Sequence, residues 1–144
     1  MEIRPITTAD IDACHAIVLA NWNPTVAKRF LSEISQVWAE MNDPPIYYVA
    51  VESGFVVGFI GIMQSYIMHG IWDLVWVNTH KDFQGEGIGT ELVEYCLREI
   101  LECDGRAVHL MTKTPTYFEQ FGFNSVKEYG EWKLMSLWLG VVEL

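Results

Sequence analysis

Apolar residues change their spacing along the chain from helix-like to strand-like, and these changes predict the order of its elements. Glu2–Ile6 is predicted to be a short strand. Apolar positions three and four residues apart then predict a helix from Ile11 to a stop at Asn21–Pro24. Pro24 suits the first turn of a second helix, whose apolar positions continue to Met41 before residues 42–45 end it. The chain is therefore predicted to begin as strand, helix, helix.

The middle of the chain has the composition of strands, because it is rich in Val, Ile, Tyr and Phe. Strands are predicted at Ile46–Glu52, Val56–Gln64 and Ile71–Thr79, with Ser53-Gly54 as a hairpin turn between the first two. The stretch Phe55–Trp72 has no charged residue and is nearly long enough to span a bilayer. Glycines and a polar cluster divide it, so two buried strands with a turn between them are predicted instead.

In the second half, a glycine-rich segment leads into a helix with one apolar stripe, formed by Ile88, Leu92, Cys96 and Ile100. Asp104-Gly105 ends this helix. The elements predicted after it are a strand at Arg106–Met111, a short helix at Pro115–Phe121, and strands at Phe123–Lys127 and Trp132–Leu139. The full order, β-α-α-β-β-β-α-β-α-β-β, predicts an α/β layered domain with a mixed sheet. Since linkers and repeats are absent, residues 1–144 are predicted to form a single domain.

Composition narrows the class of partner. Nineteen Asp and Glu against nine Lys and Arg give a formal net charge of −10, which argues against nucleic acid or an anionic membrane as the main partner. The three cysteines form no Cys-x-x-Cys, and no Cys–His pair has the spacing of metal ligands, so no metal is expected. Sparse cysteines and no signal-peptide pattern at the N-terminus predict a soluble, cytoplasmic protein.

The most specific local feature is the glycine-rich segment Gln84–Thr90 between a predicted strand and a predicted helix. It lacks the Lys of a P-loop, and Thr90 stands where a dinucleotide fingerprint needs its third glycine. Glycines there allow positive φ and leave the amides at the helix N-terminus facing the loop, where they can bind phosphate. The alternative is a turn that merely lets the strand meet the helix.

The chain resembles the GNAT superfamily, the acyl-CoA-dependent N-acetyltransferases. Gln84-x-x-Gly87-x-Gly89 matches the Gln/Arg-x-x-Gly-x-Gly/Ala signature of that family. Residues 3–5 and 8–10, Ile-Arg-Pro and Thr-Ala-Asp, resemble the usual opening, and Tyr117–Phe123 resembles the later aromatic-Gly-Phe motif. The resemblance implies the GNAT fold, a mixed central sheet of six to seven strands flanked by about four helices, with acetyl-CoA as acyl donor.

The resemblance also implies where coenzyme A binds. Its pyrophosphate is expected on the backbone from Gly85 through Glu86, Gly87, Ile88 and Gly89 to Thr90, assisted by the Gln84 side chain and the Thr90 hydroxyl. Its pantetheine arm is expected to pair with the fourth strand at Val77, Asn78 and Thr79. A separation between the fourth and fifth strands would make the slot for it.

Asp73 is the expected general base. Many family members carry an acid about eleven positions before the Gln/Arg, and Asp73 lies eleven positions before Gln84. A protonated amine must lose a proton before it attacks a thioester, and the neighbours Trp72 and Leu74 favour a raised pKa for this carboxyl. The alternative is an acid at the sheet rim that only keeps the strand soluble. Backbone amides near Val77 are the family's usual donors to the thioester oxygen as the tetrahedral intermediate forms.

Two groups are candidates for the general acid that protonates the departing thiolate. The family often has a Tyr four residues before the glycine of the Gly-Phe pair, but here that position is Phe118 and Tyr117 precedes it. One helical position rotates a side chain by about 100°, so either Tyr117 or water is expected to protonate the departing thiolate. Phe118 is expected to pack near the reacting sulfur.

The acceptor is predicted to be a primary amine of a small molecule. Trp22, Trp72 and Trp132 fall in elements that flank the acceptor side in this family, and an aromatic wall with acidic rims would favour a cation. His109 lies in a strand without a partner at ligand spacing. Two alternatives stay open: a protein N-terminus or lysine as acceptor, and a non-catalytic CoA-binding sensor. The sequence does not specify the oligomeric state, although the apolar C-terminal stretch Leu134–Val142 is compatible with pairing between chains in a homodimer.

Overall fold

A computed structural model describes residues 1–140 of the chain. Its strands are β1 to β7: Glu2–Pro5, Ile46–Glu52, Phe55–Gln64, Ile71–Thr79, Ala107–Thr112, Asn124–Tyr129 and Trp132–Trp138. Its α-helices are α1 to α4: Ile11–Asn21, Pro24–Ile34, Ile88–Glu102 and Pro115–Glu119. Short 3₁₀ turns lie at Thr8–Asp10, Ser35–Trp38 and Lys81–Phe83. The predicted order of elements is confirmed.

The strands form one mixed sheet in the order β1-β2-β3-β4-β5-β7-β6. Its only parallel pair among the described residues is β4 with β5, and the other neighbours are antiparallel. A parallel pair needs a crossover connection, which α3 supplies. The predicted α/β class with a mixed sheet is therefore confirmed.

Helices cover both faces of the sheet. α3 and the α4 region bury one face, and this α3-side core contains Leu92, Cys96, Ile100, Val108 and Phe123. α1 and α2 bury the other face over β2 and β3, where Phe30, Val49 and Phe59 are fully buried. Among residues 1–140, the α1/α2-side core includes residues of β2, β3 and β4 but none of β5 or β7.

Local sequence explains where the helices begin and end. Asn23 accepts a hydrogen bond from the Val26 amide at 2.9 Å, and Pro24 occupies the first turn of α2. After α3, the Gly105 amide donates to the Ile100 carbonyl at 2.8 Å. A Cβ on Gly105 would lie 2.2 Å from the Ile100 side chain, so only glycine fits this close turn.

Two predicted features differ from the structure. The second helix does not reach Met41: it ends at Ile34, because Trp38 and Met41 are exposed and give a longer helix nothing to pack against. The strand predicted at Phe123–Lys127 is shifted to Asn124–Tyr129, since Phe123 is buried in the α3-side core.

Pairing between chains through the apolar stretch Leu134–Val142 stays a prediction, and Val141 and Val142 lie outside the described residues. Residues 134–138 belong to β7, which pairs with β5 on one side and β6 on the other. It is an interior strand, so it has no free edge for pairing between chains.

The uncharged stretch Phe55–Trp72 forms β3, a turn and the start of β4, as predicted. No helix within residues 1–140 is long and apolar enough to cross a membrane. Cys14 and Cys96 are buried and Cys103 is exposed. Burial raises the pKa of the Cys14 thiol to about 12, which makes this cysteine a packing residue rather than a nucleophile.

Candidate active site

A slot opens where β4 and β5 separate. The two strands are in register only from Ile71 to Asp73 on β4 and from Ala107 to His109 on β5. Beyond these residues they diverge, and the space between and around them is a groove of about 1420 Å³. The β4 backbone from Leu74 to Thr79 therefore has no partner strand on its β5 side.

An irregularity in β4 lies along this slot. The register between β3 and β4 shifts between Phe59 and Gly61, and opposite this shift Trp76 has φ of +55°, which is unusual for a bulky residue. The Trp76 ring is held by an edge contact with Phe30, at 5.5 Å between centroids, and by its indole N–H, which donates to Glu33. Packing against α2 therefore maintains the bulge.

The glycine-rich segment forms a cradle at the N-terminus of α3. Gly85 and Gly87 have φ of +83° and +82°, and a Cβ on either would meet nothing within 4 Å. Gly87 is the N-cap of α3 and has no side chain to bond the first-turn amides. Open space in front of unpaired amides at a helix N-terminus fits a phosphate group, so the residues present fit the pyrophosphate of coenzyme A.

Tyr117 on α4 reaches this cradle. Its hydroxyl is 3.2 Å from the Thr90 hydroxyl, and it would be 3.0 Å from a Cβ on Gly89. Glycine at position 89 thus leaves room for the Tyr117 hydroxyl, which a side chain there would push away by a few tenths of an ångström. The Tyr117 side chain faces the beginning of α3, and its ring packs edge-on against Phe118 and Phe121.

The Gln84 side chain joins the glycine-rich segment to the end of β4 by hydrogen bonds. Its amide nitrogen donates to the Thr79 carbonyl at 3.2 Å and to the Asn21 side chain at 3.4 Å. Asn21 in turn donates to the Thr79 carbonyl at 2.9 Å and to buried Asn78 at 3.2 Å. The Gln84 nitrogen, expected to assist at the pyrophosphate, is therefore engaged in joining the loop to the end of β4.

Asp73 lies at the point where the slot begins. Its neighbours Trp72 and Leu74 point into the α3-side core, so alternation along the strand places Asp73 on the opposite face. Burial raises the pKa of the Asp73 carboxyl, and the neighbouring His109 ring offsets part of the rise. A partly desolvated carboxylate at the end of a slot is suited to accept a proton.

Aromatic rings flank the same opening. Trp22, whose indole N–H donates to Asn78 at 3.2 Å, stacks with Trp132 at the start of β7, with 6.4 Å between centroids and 13° between planes. The pair joins the β4 side of the groove to the β7 side. The expectation for Trp72 is wrong, because its ring is 6% exposed and packs in the α3-side core. Adjacent residues of a strand point to opposite faces of the sheet, so Trp72 cannot lie on the same face as Asp73.

The charge around the groove is balanced. Among the described residues, its lining includes Arg29 and Lys113 as cations and Glu33 and Asp73 as carboxylates. The acidic rims expected from the net charge of −10 are not found there. Attraction of a cation to this groove therefore depends on Asp73, Glu33 and the aromatic rings rather than on a surplus of acids.

The groove brings together most of the residues singled out from the sequence. Those that line it are Asp73, Val77, Asn78, Thr79, Gln84, Gly85, Gly87, Ile88, Gly89, Thr90, Tyr117 and Phe118. The Glu86 side chain lies outside it and is exposed. Asn21 and His109 also line it and were not expected to. Only the pairing of β4 with β5 reveals His109, because the two strands are far apart in the sequence.

Comparison with known proteins agrees with this geometry. The chain matches the family model of the Acetyltransferase (GNAT) domain over residues 43–125. No curated protein matches the sequence of the chain.

Solved structures show the same fold at low sequence identity. A GNAT-family acetyltransferase from Desulfovibrio desulfuricans is similar at a TM-score of 0.87 and 15% identity, with 96% of this chain and 99% of that chain covered. An aminoglycoside 6'-N-acetyltransferase complexed with coenzyme A is similar at 0.78 and 16%, with 99% of each chain covered. The ribosomal-protein-S18-alanine N-acetyltransferase from Escherichia coli is similar at 0.79 and 16%, with 99% and 96% covered.

The family match covers more than half of the chain and includes β4, the glycine-rich cradle, α3 and α4. The chain therefore belongs to the GNAT family of acetyltransferases and is an acyltransferase.

Proposed function

We propose that this protein transfers an acetyl group from acetyl-CoA to a primary amine of a small molecule by direct attack. The observation that carries the proposal is the slot between β4 and β5. It joins the phosphate cradle at the N-terminus of α3 to Asp73 on the opposite face of the sheet. The donor and the acceptor would thus approach each other from the two faces.

The α3 side is suited to the donor. Amides from Gly85 to Thr90 would hold the pyrophosphate, and the unpaired β4 backbone at Val77, Asn78 and Thr79 would pair with the pantetheine arm. Bound acetyl-CoA supplies an activated thioester. Phe118, which is 7% exposed and packs against Phe123, gives this side an apolar wall that keeps water away.

Asp73 is proposed as the general base. Its raised pKa brings the carboxyl closer to the working pH, which makes it a better proton acceptor than a fully solvated aspartate. Backbone amides of the irregular part of β4, near Val77, would polarise the acyl carbonyl. These groups are fixed by the Trp76 bulge and need no rearrangement.

A small acceptor is supported by the Trp22–Trp132 pair. The two rings come from opposite sides of the groove and narrow its acceptor end. Tryptophan faces attract cations, and Trp132 already has the Lys113 ammonium 5.1 Å from its centroid. One structural relative acts on aminoglycosides, a class of small amines.

A protein acceptor is the second candidate. Ser65 and Ile67 line the groove, and the loop that contains them also exposes Tyr66 and Met68, at 87% and 58%. Such an apolar loop beside a site suits a peptide segment. Another structural relative is, by its name, an N-acetyltransferase of an alanine of ribosomal protein S18.

The base assignment is tested by Asp73→Asn. With the best acceptor from a panel of amines, thiol release from acetyl-CoA should fall by about 100-fold or more at neutral pH, since a general base typically contributes that much. Asp12→Asn, at an exposed position of α1, is the matched control and should keep the full rate. Undiminished turnover by Asp73→Asn would remove Asp73 from the mechanism.

A further inference from the structure

The opening of the slot holds a second titratable side chain besides Asp73. His109 on β5 is the register partner of Asp73 on β4, and this is the last pair before the strands diverge. The neighbours Val108 and Leu110 point into the α3-side core, so His109 is on the opposite face, the same face as Asp73. Both side chains are half-buried and both line the groove.

Within residues 1–140, the other register partners of the pair carry no charge. On β3 the register partner of Asp73 is Met63, which is apolar, and on β7 the partner of His109 is Ser136, a neutral hydroxyl. Ser136 is expected to face the imidazole, because register partners in an antiparallel pair share a face. The other charged groups of the groove are Arg29 and Glu33 on α2 and Lys113 after β5, and Glu33 accepts from the Trp76 indole.

We propose that His109 and Asp73 act as one acid–base pair that takes the proton from the acceptor ammonium. This inference rests on the proposed transferase function. The two residues are register partners on adjacent parallel strands and both side chains line the slot, so one bridging water would pass a proton between them.

The proton balance has two parts. The ammonium R–NH₃⁺ loses one proton to the pair, which leaves R–NH₂ with a free electron pair. That electron pair forms the new C–N bond to the acetyl carbon while the C–S bond breaks, and the second proton leaves nitrogen and ends on sulfur. The proton held by His109 and Asp73 then passes to solvent through the groove that both side chains line.

The test compares pH–rate profiles of His109→Asn, Asp73→Asn and the double variant in the thiol-release assay. We expect His109→Asn to lower kcat/KM for the amine by at least about tenfold and to change the pH dependence of the rate, because the variant removes one of the two titratable groups of the pair. The double variant should lose little more than the worse single variant, since paired groups act non-additively. His15→Asn, half-buried on α1 and outside the groove lining, is the matched control.

The outcomes separate this inference from the proposed function. If the wild-type protein releases no thiol with any amine, the transferase proposal fails. If it turns over and both His109→Asn and His109→Gln match its rate and pH profile, the pairing is overturned while the transferase proposal stands. Coenzyme A binding by calorimetry should be unchanged in the His109 variants, and thermal unfolding should show them folded.

Discussion

At the scale of single residues, two glycines with the same backbone geometry have different surroundings. Gly54 in the β2–β3 turn and Gly87 at the cradle both have φ of +82°, and a Cβ on either would meet nothing within 4 Å. Both positions therefore disfavour a side chain by about 1–2 kcal/mol through the left-handed backbone. Only Gly87 caps the helix that faces the slot, so only there does the open space serve a ligand.

Gly87→Glu and Gly54→Glu form a matched pair of substitutions. Both should lower the free energy of unfolding by a similar amount, measured by denaturant titration. Gly87→Glu should also weaken coenzyme A binding by at least about tenfold, or 1.4 kcal/mol, because its carboxylate would occupy the phosphate space. Equal affinity of the two variants in calorimetry would show that the cradle assignment is wrong.

The Tyr117 hydroxyl is hydrogen-bonded to the Thr90 hydroxyl rather than free. We expect Tyr117→Phe to raise the KM for acetyl-CoA by about two- to tenfold, the worth of one hydrogen bond, with kcat nearly unchanged. Steady-state kinetics with acetyl-CoA varied would measure both. A large fall in kcat with constant KM would instead assign Tyr117 as the proton donor to the thiolate.

At the scale of elements, the junction between β1 and α1 is stabilised by one buried carboxylate. Asp10 is 6% exposed and accepts two hydrogen bonds from the Arg4 guanidinium, at 2.7 and 2.9 Å, and one from the Thr7 amide at 2.8 Å. The Arg4 side chain is the main cause that lowers the pKa of Asp10 to about 2 from 3.8. A lowered pKa means that the folded state is favoured while the carboxyl is ionised.

Asp10→Ala should therefore destabilise the protein in a pH-dependent way. At pH 6 the loss should be about 2 kcal/mol or more, from the shift in pKa and the lost cap. The difference from wild type should shrink as pH falls from about 4 towards 2, where the native carboxyl becomes protonated. Urea unfolding at several pH values measures this, with Asp12→Ala as a control that should show no such trend.

The elements also show what sequence can and cannot predict here. α3 was predictable because its apolar stripe is periodic, and the cradle because its glycines have a specific spacing. The bulge at Trp76 was not, since a tryptophan at positive φ has no signal in the sequence and is held by Phe30 and Glu33 of a distant helix. The Asp73–His109 neighbourhood was missed for the same reason: it exists only through the parallel register of β4 and β5.

At the scale of the whole molecule, the net charge of −10 and an anionic donor are compatible. The cradle offers backbone amides and a helix N-terminus, neither of which contributes to formal charge. The acceptor side carries two carboxylates and two cations among the described residues. The chemistry of the acceptor is therefore decided by a few side chains at the slot rather than by the net charge.

Direct acetyl transfer to a small primary amine is tested by a comparison of acceptors. Initial rates of thiol release from acetyl-CoA should be compared for small primary amines, a peptide with a free N-terminus and an N-blocked lysine peptide. We expect the highest kcat/KM with a small amine, together with the acetylated amine in mass spectra. Faster release with either peptide, or no release above hydrolysis with any acceptor, would contradict it.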